Sequence, residues 1–120
     1  MRIVAIFGTR PEAIKMAPVL TRLSSAPGID LRVCVTSQHR QMLDQVLDVF
    51  GITPNWDLDL MRAGQGLTYV TTSVLDGVHR ILKEERPDRV LVQGDTTTTM
   101  AASLAAFYER VPVGHIEAGL

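Results

Sequence analysis

The chain has 120 residues, a formal net charge of −1, 46 % apolar residues and 21 % charged residues. This length suits one domain with a hydrophobic core, and the composition is that of an ordinary globular protein. Because the chain has no basic excess and no basic cluster, we expect no nucleic-acid or membrane partner. The single cysteine, Cys34, excludes an internal disulfide, and its place in the apolar run LRVCV predicts a buried, reduced thiol.

Apolar runs of strand length alternate with segments of helical spacing along the chain. The first run, Ile3 to Phe7, is too short for a signal-peptide core or a membrane span, and we expect a cytoplasmic protein. Thr9 then predicts a helix cap, and Pro18 predicts a kink or break near the middle of that helix. The predicted strands are Ile3 to Phe7, Leu31 to Val35, Asp57 to Leu60, Val90 to Val92 and one that opens at Val111 to Val113. The predicted helices lie between Thr9 and Pro27, from Gln41 to Phe50, from Leu67 to before Pro87, and from Met100 to Tyr108. In the second of these helices, the spacing places Met42, Val46, Val49 and Phe50 on one face.

The regular alternation of strand and helix predicts a Rossmann-like α/β fold with three layers and a parallel sheet. We expect the strand order 3-2-1-4-5, which places a switch point between the first and fourth strands. Ligands of such sheets bind beyond the carboxyl ends of the strands, at the switch point.

Three segments should deliver polar side chains to that edge. The stretch QGDTTTTMAA, Gln93 to Ala102, follows the fourth strand and starts a helix, where free N–H groups favour an anion. The first strand ends in GTRPE, which carries Arg10, and the fifth ends in GHIEAG, which carries His115 and Glu117. Arg10, Asp95 and Glu117 are therefore predicted to meet in one crevice.

Several of these residues also have a purely structural interpretation. Arg10 suits a phosphate, while Lys15 is solvated unless it has a role in the site. Asp95 and the threonines can cap the helix or contact a ligand, and Thr96 is a candidate substrate contact. His115 fits a buried, hydrogen-bonded histidine as well as a substrate contact. Two carboxylates beside a phosphate can serve as acid and base, and the sequence does not say which is which.

Cofactor signals are missing from the sequence. The turn GTRPEA lacks the G-x-G-x-x-G pattern of dinucleotide sites, and the histidines and acids have no metal-ligand spacing. We therefore expect no cofactor and no metal.

Four motifs in this order resemble those of the non-hydrolysing UDP-N-acetylglucosamine 2-epimerase family. They are GTRPEAIKMAPV at Gly8 to Val19, SQHRQMLDQVL at Ser37 to Leu47, QGDTTTT at Gln93 to Thr99 and PVGHIEAGL at Pro112 to Leu120. The resemblance implies a two-domain architecture of the glycosyltransferase-B type. It also implies reversible conversion of UDP-GlcNAc to UDP-ManNAc, by anti elimination of UDP and its re-addition, without nicotinamide or metal. Such enzymes supply cell-surface polysaccharide biosynthesis and are homodimers.

The resemblance also implies roles for single residues. Asp95 and Glu117 match catalytic carboxylates, Lys15 matches a basic residue associated with activity, and Arg10 matches a contact near the nucleotide phosphates. Gln38, His39 and Gln41 resemble a second, regulatory UDP-GlcNAc site. Some members have an Arg where this chain has Gly64, so the resemblance leaves regulation open.

Members of that family are considerably longer than 120 residues. The resemblance therefore implies that residues 1–120 form an incomplete amino-terminal Rossmann-like domain, that the UDP-gripping second domain is absent from this chain, and that the chain alone is inactive. The alternatives are a hydrolysing epimerase that releases free ManNAc, a non-catalytic nucleotide-sugar binding module, and the acceptor domain of a glycosyltransferase.

Overall fold

A computed structural model describes residues 1–37 and 40–119 of the chain. Its strands form one parallel sheet in the order β3-β2-β1-β4-β5, as predicted. The strands are β1 (Arg2–Phe7), β2 (Asp30–Val35), β3 (Trp56–Asp57), β4 (Arg89–Gln93) and β5 (Val113–Ile116). The helices are α1 (Arg10–Ser24), α2 (Arg40–Phe50), α3 (Leu67–Glu85) and α4 (Thr97–Tyr108). The predicted Rossmann-like α/β fold is confirmed.

The central strand β1 is buried on both faces because successive side chains of a strand point to opposite sides. Val4 and Ile6 belong to the core beneath α3 and α4, whereas Ala5 and Phe7 belong to the core beneath α1 and α2. This arrangement explains why the run IVAIF is continuously apolar. It also fixes β1 in the middle of the sheet, with the switch point between β1 and β4.

The core on the α3 and α4 side contains small side chains. Ala101, Ala102, Ala105 and Ala106 of α4 are all fully buried, so α4 can approach α3 and the sheet closely. Cys34 of β2 lies in the same core, as predicted. Burial raises the pKa of its thiol to about 12, and Asp57 adds to this shift.

The face that α2 buries was predicted only in part. The structure buries Leu43, Val46 and Leu47, while Val49 is 79 % exposed and Met42 is 50 % exposed. All six apolar residues of this helix lie on one side of it, and only a part of that side is buried. The position of the sheet selects that part, because α2 must pack on Val33 and Val35 of β2.

Element boundaries and the effect of Pro18 also differ from the predictions. The helix α1 runs through Pro18 without the predicted break, and Ile14, whose carbonyl loses its partner, is itself solvent-exposed. Strand β3 ends at Asp57 instead of starting there, and β5 starts at Val113, after the positive φ of Arg110. Helix α4 starts at Thr97, so three threonines lie inside it.

Within the described residues, none of the helices has the length and the apolar composition needed to cross a membrane.

Candidate active site

Polar side chains from β1, β4 and β5 meet at the carboxyl edge of the sheet, around the switch point. The first contact is between Lys15 of α1 and Glu117, which follows β5. The Lys15 ammonium lies 2.7 Å from Oε1 and 2.6 Å from Oε2 of Glu117. Gln93, the last residue of β4, donates from Nε2 to Glu117 Oε2 at 2.9 Å. Glu117 is therefore held from two sides, by a cation and by a buried amide.

The threonines after Asp95 connect Gln93 to the first helix. The Thr99 hydroxyl donates to the Gln93 carbonyl at 2.6 Å, and the Thr99 amide donates to Thr96 Oγ1 at 3.2 Å. The Thr96 hydroxyl in turn donates to Glu12 Oε1. Because Glu12 and Lys15 both belong to α1, these contacts close a ring from α1 through α4 and β4 to Glu117 and back to α1.

The cap of α4 is Thr96, because its side chain accepts from the Thr99 amide. One of the two interpretations of Asp95 is thereby removed, since this acid does not cap the helix. Asp95 is exposed, and the described residues offer its side chain no hydrogen bond or ion pair. Its carboxylate is free to meet a ligand at the edge of the sheet.

Arg10 also has an unengaged side chain. It is exposed at the first residue of α1, and no protein acceptor within residues 1–37 and 40–119 pairs with its guanidinium. It lies at the start of the helix that carries Lys15. The two cations and the two acids thus share one edge of the sheet, which suits a substrate with both anionic and proton-exchanging groups.

His115 is exposed, which corrects the expectation of a buried histidine. Its hydrogen bond was expected and is present: Nε2 lies 2.6 Å from the carbonyl of Gly94. Since a carbonyl only accepts, Nε2 carries the proton and Nδ1 is left as the other polar atom of the ring.

Unusual backbone conformations mark the same edge. Residues with positive φ follow four of the five strands: Ser37 at +56° after β2, Asp59 at +51° after β3, Gly94 at +74° after β4 and Glu117 at +55° after β5. Three of them are not glycine, and such conformations cost about 1 kcal/mol or more each. Strain of this kind concentrates at functional sites, which supports a role for Glu117 beyond structure.

A second polar cluster lies after β2 and β3. Arg40 Nη2 contacts Asp57 Oδ2 at 2.9 Å and Asp59 Oδ1 at 2.7 Å, and the Ser37 hydroxyl donates to Asp57 Oδ1 at 2.7 Å. Partial burial would raise the pKa of Asp57, but the hydrogen bonds from Ser37, Arg40 and the Asp59 amide outweigh it and lower that pKa. The hydrogen bonds of Arg40 to Asp59, which has the larger effect, and to Asp57 raise the pKa of its guanidinium.

This cluster borders the segment predicted to hold a regulatory ligand. Gln41 is exposed in the first turn of α2, whereas Gln38 and His39 lie outside the described residues. The regulatory site therefore stays a prediction.

Two residues of the ring were not singled out as functional from the sequence. The one sequence signal at Glu12 is the S/T-x-x-E spacing of a capping box with Thr9, which indicates a structural role. Gln93, directly after the predicted fourth strand, has no functional signal of its own. No local signal indicates that either side chain reaches another loop, because both contacts join segments distant in sequence.

Metal binding has no support in the described part of the chain, where no group of three or more His, Cys, Asp or Glu side chains could hold an ion.

Comparison with known proteins adds relatives that match the whole chain. A model of the family described as UDP-N-acetylglucosamine 2-epimerase matches residues 21–120. The UDP-N-acetylglucosamine 2-epimerase of Escherichia coli (strain K12) is 60 % identical over 120 residues, which are 100 % of this chain and 32 % of that protein.

Solved structures agree with this match. The UDP-GlcNAc 2-epimerase of Neisseria meningitidis, bound to UDP-GlcNAc, superposes with a TM-score of 0.92 at 55 % identity, over 100 % of this chain and 33 % of that one. The enzyme of Methanocaldococcus jannaschii, in complex with UDP-GlcNAc and UDP, gives a TM-score of 0.93 at 32 % identity, over 100 % and 33 %. The chain thus spans about a third of the length of the relatives that it matches.

Proposed function

Because the chain belongs to the UDP-N-acetylglucosamine 2-epimerase family, we propose that the complete protein reversibly converts UDP-GlcNAc to UDP-ManNAc. The observation that carries this proposal is the contact of Lys15 with Glu117 at the edge of the sheet where Asp95 follows β4 with a free carboxylate. The site offers two carboxylates for proton transfer and two cations for a diphosphate. The solved relatives that bind UDP-GlcNAc support the choice of substrate.

The proposed reaction is an anti elimination followed by re-addition. One carboxylate removes the proton from C2 of the sugar, the C2–H electron pair becomes a C1=C2 double bond, and the C1–O bond breaks with its electrons on UDP. The intermediate is 2-acetamidoglucal. UDP then adds back to C1 while the other carboxyl group delivers its proton to the opposite face of C2, which inverts that centre. The first carboxyl group is then protonated and the second ionised, and proton exchange with solvent restores the starting state of both.

Each residue has a proposed part in these steps. Asp95 and Glu117 exchange the proton at C2, and the choice of acid and base between them is open. Lys15 fixes the Glu117 carboxylate and adds positive charge beside the leaving UDP, while Arg10 contacts its phosphates. His115 offers Nδ1 to the substrate.

Thr96 is the remaining proposed substrate contact, and its hydroxyl has room for only one further hydrogen bond. Its hydroxyl already donates to Glu12 and accepts from the Thr99 amide. A hydroxyl has one proton and two lone pairs, so Thr96 can only accept one further hydrogen bond. It would therefore meet a donor on the substrate, such as a sugar hydroxyl or an amide N–H.

The complete protein is proposed to contain a second domain in addition to this chain. In this proposal residues 1–120 are the amino-terminal part of a glycosyltransferase-B-type enzyme, a second domain grips UDP, and the enzyme is a cytoplasmic homodimer that serves polysaccharide synthesis. The share of the relatives covered by the chain supports this. Gln38, His39 and Gln41 are proposed to bind a second UDP-GlcNAc that regulates the enzyme.

The test follows the C2 proton. The complete protein and the 120-residue chain are each incubated with UDP-GlcNAc in heavy water, and C2 exchange and products are followed by NMR. We expect exchange at C2 with UDP-ManNAc only in the complete protein, and loss of exchange in D95N and E117Q. The control D48N replaces an exposed acid of α2 and should retain full activity.

The other outcomes identify the rival functions. Free UDP and free ManNAc would indicate a hydrolysing epimerase. Binding of UDP-GlcNAc without exchange at C2 in a folded, complete protein would contradict the proposal and favour a binding module, and sugar transfer to an added acceptor would indicate a glycosyltransferase.

A further inference from the structure

Glu12 is a buried acid whose contacts exceed those of a helix cap. Only 1 % of the residue is exposed. Its Oε2 accepts from the Gly8 amide at 2.8 Å, the Thr9 amide at 2.8 Å and the Thr9 hydroxyl at 3.0 Å, while Oε1 accepts from the Thr96 hydroxyl. A capping box requires only the contact with the Thr9 amide. The contact with Thr96 spans 84 residues of sequence.

The two oxygens of Glu12 hold two different loops. Thr9 precedes Arg10, the proposed phosphate contact, and Thr96 follows Asp95, one of the proposed proton-exchanging acids. The side chains of Arg10 and Asp95 have no protein partner of their own among the described residues. The backbone that carries them is therefore positioned through Thr9 and Thr96, and one carboxyl group connects the two.

The contacts of Glu12 also decide how the start of α1 meets a phosphate. A helix start offers free N–H groups to anions, but the amides of Gly8 and Thr9 already donate to Glu12. These two amides are not available to the substrate. The contribution of this turn to phosphate binding falls to the amide and the side chain of Arg10, which makes the placement of that turn more important.

We propose that Glu12 is a positioning residue of the epimerase reaction, which fixes the Arg10 turn relative to the Asp95 turn. This inference rests on the proposed function. Glutamine has nearly the same shape, and its oxygen can still accept from the Gly8 and Thr9 amides. Its NH₂ group, however, faces Thr96 as a donor, so the hydroxyl can only accept from it, and a neutral hydrogen bond replaces one to a carboxylate. The link between the two loops is weakened while the fold is kept.

The experiment compares E12Q with the complete wild-type protein. We expect kcat for UDP-GlcNAc to fall about tenfold to a hundredfold with KM changed by less than about threefold, because misplaced reacting groups lower the rate more than ground-state binding. T96V should lower kcat by a similar factor. The double variant should be no worse than either single variant, because both remove the same link.

The control T21V removes a hydroxyl that bonds the Ala17 carbonyl within α1, far from the proposed site. It should leave kcat within about twofold of wild type, which separates loss of a threonine hydroxyl from loss of the Glu12 link. If E12Q does not fold, T96V tests the same contact with the Gly8 and Thr9 bonds of Glu12 intact.

Two results would overturn the inference. The first is a folded E12Q or T96V with wild-type kcat and only a lower unfolding temperature, which would make Glu12 a structural cap. The second is a double variant whose kcat is lowered by the product of the two factors measured for E12Q and T96V. Neither outcome touches the proposed function, which fails only if the wild-type protein shows no exchange at C2.

Discussion

Glu117 combines three features that rarely meet in a surface acid: a strained backbone, a lysine and a buried amide donor. Its φ is +55°, Lys15 lies 2.6 Å from one oxygen, and Gln93 donates to that same oxygen at 2.9 Å. A solvated glutamate needs none of these. The contacts hold the carboxylate in one orientation at the edge of the sheet, as a proton-transfer group requires.

Replacing Lys15 by methionine tests the importance of this orientation. K15M in the complete protein should lower kcat about a hundredfold, the size expected for the loss of one electrostatic group in a site. Steady-state kinetics with UDP-GlcNAc measures the effect. Lys83→Met, in the exposed last turn of α3, is the matched control and should have wild-type rates. A K15M enzyme within threefold of wild type would contradict the role of Lys15.

Asp57 gives a prediction about pH. Its pKa is lowered in the folded state, so the unfolded state binds more protons between that lowered pKa and the ordinary value of about 3.9. The stability that Asp57 contributes is therefore fully present above about pH 5 and is lost as the pH falls through the folded-state pKa.

Urea unfolding of the chain between pH 5 and pH 3 measures this contribution. Wild type should lose more stability over that range than D57N, which has no carboxyl group to protonate. D48N, which replaces an exposed acid of α2, should keep the wild-type slope. Equal slopes for D57N and wild type would show that the contacts of Asp57 with Ser37 and Arg40 contribute nothing to stability.

Helix α1 carries both Glu12 and Lys15, so the geometry of the site depends on its straightness and stability. It also contains Pro18, which removes one backbone donor from the middle of the helix. Because Pro18 and Ile14 lie on the exposed side, water can satisfy the carbonyl that loses its partner. The tertiary contacts of Ala13, Met16 and Leu20 with the sheet hold the helix together through this position.

Replacing Pro18 by alanine should restore the missing hydrogen bond. We expect P18A to raise the free energy of unfolding by about 1 kcal/mol. This gain is smaller than the roughly 3 kcal/mol helix penalty of proline, because proline also restricts the unfolded chain. Urea unfolding measures it. Pro27→Ala, in the turn after α1, should give no gain, and a less stable P18A would show that the ring makes a favourable native contact.

The chain as a whole encloses a hydrophobic core on each face of one sheet, and both cores include side chains of β1. The contacts that close the ring around Glu117 lie within this same unit. Folding of the sheet and the proposed activity are therefore expected to be separable, because the unit can bury its cores without the proposed second domain.

The 120-residue chain should unfold in urea in one cooperative transition, with the same midpoint by circular dichroism and by Trp56 fluorescence. In the same preparation we expect no exchange at C2 of UDP-GlcNAc. Two separate transitions would contradict the single unit, and robust epimerisation would contradict the proposed need for the second domain.

Much of this structure follows from the sequence alone. The continuous apolar run of β1 and the alternation of strand-like and helix-like apolar segments determine a parallel sheet. The position of each motif after a strand determines that Arg10, Asp95 and Glu117 share one edge. These are local properties of chain order. They do not depend on which face a helix presents or on which side chains meet.

Only the tertiary structure decided the rest. The sheet selected which part of the apolar side of α2 is buried, because that side is wider than the surface that packs on β2. The long-range contacts of the ring around Glu117 join residues 24, 84 and 102 positions apart, and no local pattern encodes such a contact. A hydrogen bond depends on a few tenths of an ångström between two side chains, and that distance exists only after the strands have paired.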